Sequence, residues 1–165
     1  MTTMTQTATT HVFRVYIRAT PQAIWDAITT PEWTQKYGYR GAVEYDLRPG
    51  GAYKGLATPE MLQMGAPAVM LDGEVLEADP PRKLVQTWRA LWEPLIGEGF
   101  TRVTWEIDED DFGLTRLTVT HELEGAPTTA AQVAGQLRLA EGGGGWAWIL
   151  SDLKTLLESG TSLGG

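Results

Sequence analysis

The sequence predicts an α+β fold in which a curved, seven-stranded antiparallel sheet packs on a long C-terminal helix. Three observations predict it. Residues 42–124 carry strand patterns separated by turn residues, a strongly amphipathic segment follows near the end of the chain, and one strand and two short helices come first. A sheet with one apolar face needs a cover, and the amphipathic C-terminal helix can provide it.

The composition restricts the classes of function. The chain has 165 residues, which suits a single domain, and 13 Lys and Arg against 21 Asp and Glu give a net charge of −8. An acidic chain without a basic run repels phosphate backbones and anionic lipids, so neither nucleic acid nor a membrane is an expected partner. The absence of cysteine excludes disulfides, thiolate metal sites and cysteine nucleophiles. No cofactor and no metal site are predicted.

The ends of the chain predict tails around one domain. Residues 1–10 are polar, uncharged and without periodicity, which is typical of a disordered segment. They lack the apolar segment of a signal peptide, and no apolar run approaches the roughly 20 residues that cross a bilayer. We therefore expect a soluble, cytoplasmic protein, with one domain over 11–160 and a short tail over 161–165.

The first elements are a strand and two short helices. HVFRVYIRA alternates between apolar and polar residues and places Phe13 on its apolar face. Thr20 and Pro21 then supply an N-cap and a proline at the first helical position. PQAIWDAIT carries apolar residues on one helical face, and Pro31 ends this helix and opens a second one in PEWTQKY.

The central region predicts three hairpins, which turn at PGG, at DPP and at DEDDFG. In the third hairpin, alternation places on one face Val103, Trp105, Ile107, Leu117, Val119 and His121. Residues 58–68, TPEMLQMGAPA, interrupt the strand pattern. Their prolines, their glycine and the flexible Met61 and Met64 predict a mobile loop that gates a cavity mouth.

The closing helix lies in EGGGGWAWILSDLKTLLESG, residues 141–160, after a weakly helical segment at 127–140. At 100° per residue from Trp146, one stripe contains Ile149, Leu150, Leu153, Leu156 and Leu157. The glycines allow a sharp turn and a close approach to other backbone. Trp148 lies about 200° from Trp146. Its side chain is predicted to be covered by 127–140, to be exposed, or to be buried in a homodimer.

Several strings, in this order, resemble the START-like or helix-grip superfamily (SRPBCC), and within it the family of activator of heat-shock protein 90 ATPase homologues. They are ATPQAIWDAITTPEWTQKY, RPGGAY, GEVLEADPPRKLVQTW, LTRLTVTHE and GWAWILSDLKTLLESG, and they span 11–160. The resemblance implies an apolar cavity between the sheet and the long helix, and a role in stress response. It implies no catalytic residue.

Side chains that could carry acid–base chemistry are few. His121 is predicted to point inward, as a general base, a donor that orients a ligand, or a core histidine bonded to a neighbour. Asp72 and Glu74 share one strand face, which is more typical of a solvated face than of a catalytic pair. The amides of GGGGW could bind an anion, although the GK[ST] ending of a phosphate loop is missing.

The aromatic residues are the strongest indication of function. They either fill a core or line a cavity for a small hydrophobic molecule. The predicted ligand-binding set is Phe13, Tyr53, Met61, Met64, Gln86, Trp88, Trp92, Trp105, His121, Trp146 and Leu150. Three functions follow: a non-enzymatic binding module, an enzyme of the polyketide cyclase or aromatase kind with His121 as acid or base, and a chaperone-interacting protein.

Overall fold

The fold is an open antiparallel sheet covered by helices. The computed structural model describes residues 9–139 and 143–164. The sheet has seven strands in the order β1-β7-β6-β5-β4-β3-β2. The strands are β1 (Thr10–Ile17), β2 (Val43–Tyr45), β3 (Ala52–Leu56), β4 (Val69–Asp79), β5 (Lys83–Ala90), β6 (Thr101–Glu109) and β7 (Thr115–Glu122). The predicted fold class is confirmed.

The helices lie before, between and after the strands. They are α1 (Pro21–Thr29), α2 (Pro31–Thr34), α3 (Pro59–Gln63), α4 (Pro127–Val133) and α5 (Gly145–Ser159). The α5 helix packs on β1, α1 and α4, and α1 also packs on β6. No helix among the residues that the structure describes is long and apolar enough to cross a membrane.

The third hairpin places its predicted inward residues opposite one another. Val103 pairs with His121, Trp105 with Val119, and Ile107 with Leu117. All six side chains are buried, so alternation along both strands places them on the covered face of the sheet. The row of Val103 and His121 continues to Gln86 on β5.

The segment 58–68 contains a short helix that the sequence analysis does not predict. Residues Pro59–Gln63 form α3, and the Thr58 side chain accepts a hydrogen bond from the Met61 amide as the N-cap. This Thr-Pro start is the same signal that Thr20 and Pro21 give for α1. The prediction of a loop was wrong for these residues. The strand pattern stops there because a helix begins, and the sequence analysis interpreted the interruption as a loop. No residue of α3 is buried.

The glycines before α5 allow the close approach that the sequence predicts. Gly145 has φ = 63°, and a Cβ at this position would overlap the Val133 carbonyl at the end of α4. A Cβ at Gly144 would meet the side chains of Trp148 and Leu139. Residues 140–142 lie outside the described residues, as do 1–8 and 165.

Candidate functional site

A cavity of about 380 Å3 lies between the sheet and the helices. Its walls come from β2 to β6, from residues 37–41 after α2, and from α3, α4 and α5. Ligand sites in proteins commonly measure about 300–1,000 Å3. The cavity is therefore large enough for a small molecule.

Most of the predicted ligand-binding residues meet in this cavity. Its lining includes Tyr53, Met61, Gln86, Trp88, Trp92, Trp105 and Trp146. The strand residues reach it because β3 and β5 present their inward faces there, and Trp146 reaches it from the first turn of α5. The Trp105 and Trp146 rings meet edge to face, with their centroids 5.2 Å apart. They form one rigid aromatic wall.

The other predicted residues are placed elsewhere. Phe13 and Leu150 lie at the opposite edge of the sheet, beside a groove between β1 and α5. Alternation and helical periodicity fix the face on which a residue lies, but not the end of the sheet. Met64 is 87% exposed, because it ends α3 on the outer side. His121 is buried beside the cavity without lining it.

Gln86 is the polar centre of the cavity wall. Its Oε1 accepts a hydrogen bond from the Tyr45 hydroxyl at 2.6 Å and a second from the Trp105 indole at 3.2 Å. An indole nitrogen can only donate, so the amide atom that faces it is the oxygen. The orientation of the Gln86 amide is thereby fixed, although Gln86 is 1% exposed.

His121 is held by a closed set of hydrogen bonds. The Trp146 indole donates to Nδ1 at 3.1 Å, and Nε2 lies 2.7 Å from the Thr101 hydroxyl. Since the indole only donates, Nδ1 is unprotonated, and the ring proton lies on Nε2 and is donated to Thr101. The Thr101 hydroxyl donates in turn to the Trp88 carbonyl at 2.8 Å.

This environment keeps the His121 ring neutral. Burial, with a smaller contribution from His11 on the neighbouring strand, lowers the pKa of His121 to about 3. A general base needs a free lone pair directed at its substrate. The lone pair of His121 is occupied by Trp146, and the ring does not line the cavity. This geometry favours the core histidine over the acid or base.

Burial raises the pKa of all four tyrosines that line the cavity, which are Tyr37, Tyr39, Tyr45 and Tyr53. Tyr53 raises the pKa of Tyr37 and of Tyr45 further, and the Trp88 indole opposes the shift of the Tyr53 pKa. The Tyr37 hydroxyl donates to the Ala27 carbonyl at 2.8 Å. These shifts show that the wall disfavours negative charge.

The comparison with known families follows from this architecture. The family model described as Activator of Hsp90 ATPase homolog 1-like protein matches residues 18–158. The chain belongs to this family. A search of curated protein sequences finds no match.

Solved structures share the fold of this Activator of Hsp90 ATPase homolog 1-like chain. CalU16 from Micromonospora echinospora is 20% identical, with a TM-score of 0.64 over 94% of this chain and 69% of CalU16. The Aha1 dimer from Colwellia psychrerythraea is 19% identical, with a TM-score of 0.65 over 92% and 97%. PFC0360w, an HSP90 activator from Plasmodium falciparum, is 19% identical, with a TM-score of 0.57 over 81% and 93%.

These similarities establish the START-like, helix-grip fold. The chain spans only 59% of CalU16 in a crystal structure, and 49% of DynU16 from the dynemicin biosynthetic locus.

In this family member, sequence reasoning missed the rim of the cavity. Residues 37–41 line it, and the Asp152 carboxylate accepts hydrogen bonds from the amides of Gly38 at 2.8 Å and Leu163 at 2.6 Å. Asp152 is fully buried, and it is the one acidic residue within the apolar part of α5. An acidic residue next to the leucine stripe was the feature of the sequence that could have predicted this buried carboxylate. Tyr37 follows α2 without any periodic pattern, so the sequence gives no comparable signal for it.

The remaining polar candidates lie outside the cavity. Asp72 forms a two-point ion pair with Arg89, at 2.9 and 2.7 Å, and Glu74 is exposed. The Gly144 amide at the start of α5 donates to the Tyr39 hydroxyl at 3.0 Å. No group of three His, Cys, Asp or Glu in the described ranges could hold a metal ion.

Proposed function

We propose that the chain binds a small, mainly apolar molecule with flat rings in the cavity between the sheet and α5. The observation that carries the proposal is the lining, in which four tryptophans and three inner tyrosines surround about 380 Å3 with few polar groups. Such a lining is typical of small-molecule sites, and flat aromatic walls stack well on rings. We place this binding in the cytoplasm, as the sequence predicts.

The test is to fill the cavity. Val43 lies half-buried on β2 in the cavity wall, and Val43→Trp should occupy the space that a ligand needs. We expect equilibrium dialysis to show fluorene binding to the native chain and a loss of at least about tenfold in affinity for Val43→Trp.

The matched control is Val12→Trp. Val12 lies on β1, is 47% exposed and borders the groove between β1 and α5. This variant should bind fluorene like the native chain. Lost binding in Val12→Trp with binding retained in Val43→Trp would move the site to the groove and contradict the proposal.

A chaperone partner is the second candidate function, and family membership favours it. The chain would then stimulate the ATPase of an Hsp90-type chaperone. We expect the hydrolysis rate to rise on adding the chain, and to rise equally with Val43→Trp, because this substitution lies in the cavity wall. An unchanged rate at saturating chain concentration would reject this candidate.

A homodimer through Trp148 is the proposed assembly. Trp148 is half-buried, and Leu137 and Leu139 nearby are each 50% exposed. Aromatic anchors with apolar neighbours are enriched at interfaces. Sedimentation at micromolar concentration should show a dimer that Trp148→Glu converts to a monomer. Phe112→Glu, which changes a residue 91% exposed at another site, is the control and should remain a dimer.

A further inference from the structure

We infer that the ligand is an uncharged molecule whose rings carry a hydrogen-bond acceptor, such as a ring ketone. The inference rests on the proposed function and names the chemical class of its ligand. It follows from the hydrogen bonds of Gln86 and from the position of Tyr53 in the cavity wall.

The Gln86 amide group is the first available donor. Because Oε1 faces Tyr45 and Trp105, the NH2 group points the other way. One of its two N–H groups reaches the Thr87 carbonyl at 3.4 Å, which is the long limit of a hydrogen bond. The second N–H has no acceptor among the described residues. A buried donor without a partner is costly, and a ligand oxygen would relieve that cost.

Tyr53 is the second available donor. Its ring packs on that of Tyr45 in the cavity wall, with the two centroids 4.7 Å apart, and its hydroxyl can donate one hydrogen bond. Within 9–139 and 143–164, the Tyr53 hydroxyl proton has no acceptor. Tyr53 is buried and lines the same cavity as Gln86, so both donors serve one enclosed space.

The acceptor at the polar centre of the wall is already occupied. Oε1 of Gln86 receives two hydrogen bonds, and the Ala27 carbonyl receives the Tyr37 proton. No aspartate or glutamate appears among the described residues that line the cavity. A ligand that donates hydrogen bonds, such as an amine, would therefore find no carboxylate among the described lining residues. A ligand that accepts them meets the Gln86 amide and the Tyr53 hydroxyl.

A charged ligand is disfavoured as well. Arg40 is the one charged residue among the described lining residues, and it is exposed at the rim, where it donates to the Ser162 hydroxyl. A carboxylate deep in the cavity would lose its water without gaining a cation. The raised pKa values of Tyr45 and Tyr53 report the same unfavourable environment for an anion.

Three compounds with one ring skeleton test this inference. Fluorene has no acceptor, fluorenone adds a carbonyl, and a fluorene carboxylate adds a negative charge. For each protein, equilibrium dialysis gives the affinity for fluorenone divided by that for fluorene. Tyr53→Phe should reduce this ratio roughly fivefold to tenfold, because one hydrogen bond to the carbonyl is lost. Because both proteins are measured with the same two compounds, the difference in hydration between fluorenone and fluorene cancels when the two ratios are compared.

Tyr16→Phe is the matched control, since Tyr16 lies on β1 and is 46% exposed. It should leave the ratio unchanged. A ratio that survives Tyr53→Phe, or a carboxylate that binds as tightly as fluorenone, would overturn the inference while leaving the proposed function intact. Failure of all three compounds to bind the native chain would overturn both.

Discussion

Two buried polar side chains stand in one row of the sheet, and they differ in how completely the protein satisfies them. Gln86 on β5 and His121 on β7 both pair across Val103 on β6. Each accepts a hydrogen bond from an indole, Gln86 from Trp105 and His121 from Trp146. At His121 every ring atom that can bond has a protein partner. At Gln86 the amide NH2 group makes only one long hydrogen bond, 3.4 Å to the Thr87 carbonyl.

The comparison separates structure from function. A closed polar cluster fixes the packing of α5 on the sheet, because its hydrogen bonds join a helix residue to strand residues. A partly open one can recognise a molecule that supplies the missing partner. What decides between them is the position of α5, whose first turn covers His121 and leaves Gln86 beside the cavity.

Truncating His121 and Gln86 to alanine should give the largest difference in stability between the two sites. His121→Ala leaves the Trp146 indole without an acceptor in a closed space, and we expect it to lower the free energy of unfolding by about 3 kcal/mol. Gln86→Ala opens onto the cavity, where water can reach Tyr45 and Trp105, and should cost only about 1 kcal/mol. Urea unfolding measures both. Equal losses would remove the distinction.

The second largest effect on stability should come from lowering the pH, which acts on His121 in the closed cluster. The pKa of His121 is about 3 when folded and near 6.5 when unfolded, so below pH 6.5 the unfolded chain takes up a proton that the native chain does not. Stability from this group is complete above pH 6.5 and falls as the pH drops toward 3. Between pH 7 and 5 the loss is about 2 kcal/mol. His121→Gln lacks this group, so its stability should fall less over the same range. The same decrease in both proteins would contradict the neutral histidine.

A substitution at the rim of the cavity should have a smaller effect on stability. Asp152→Asn removes one of the two carboxylate oxygens that hold Gly38 and Leu163, and it should cost about 1–2 kcal/mol. Hydrogen exchange at the Gly38 amide should become faster. Asp111→Asn, an exposed change in the turn between β6 and β7, is the control and should alter neither quantity.

The smallest effect is expected at α3. Thr58 and Thr20 cap their helices in the same way, but α1 buries an apolar face and α3 buries nothing. Thr20→Ala should therefore cost about 1 kcal/mol of global stability, and Thr58→Ala much less. We expect α3 to act as the gate of the cavity, exchanging its amides quickly without fluorenone and more slowly with it. Strong protection of α3 in the empty protein would count against a gate.

The sequence was sufficient to predict the fold class and the inward faces of the strands and of the last helix. Alternation predicted which residues of the third hairpin share the inward face and the burial of Trp88 and Trp105, because the side-chain period of a strand is fixed by its geometry. Helical periodicity predicted that Trp146 faces the sheet, and the family motifs predicted the order of the elements.

Long-range placement was beyond the sequence. Phe13 and Leu150 have the right periodicity but lie at the wrong edge of the sheet, since β1 returns to pair with β7 far from β3. The partners of His121 come from β6 and α5, and no local pattern reveals such contacts. The rim depends on Asp152, which reaches Gly38 across a separation of 114 residues.

The central claim is that the open side of this row binds a ring-containing molecule. NMR chemical-shift mapping with fluorenone tests it directly, because indole N–H, side-chain amide and ring signals report separately. We predict shifts for the Gln86 amide and the indoles of Trp88 and Trp105, with the Nε2 proton of His121 nearly unchanged. Shifts confined to residues outside the cavity, or a response at His121 without one at Gln86, would contradict it.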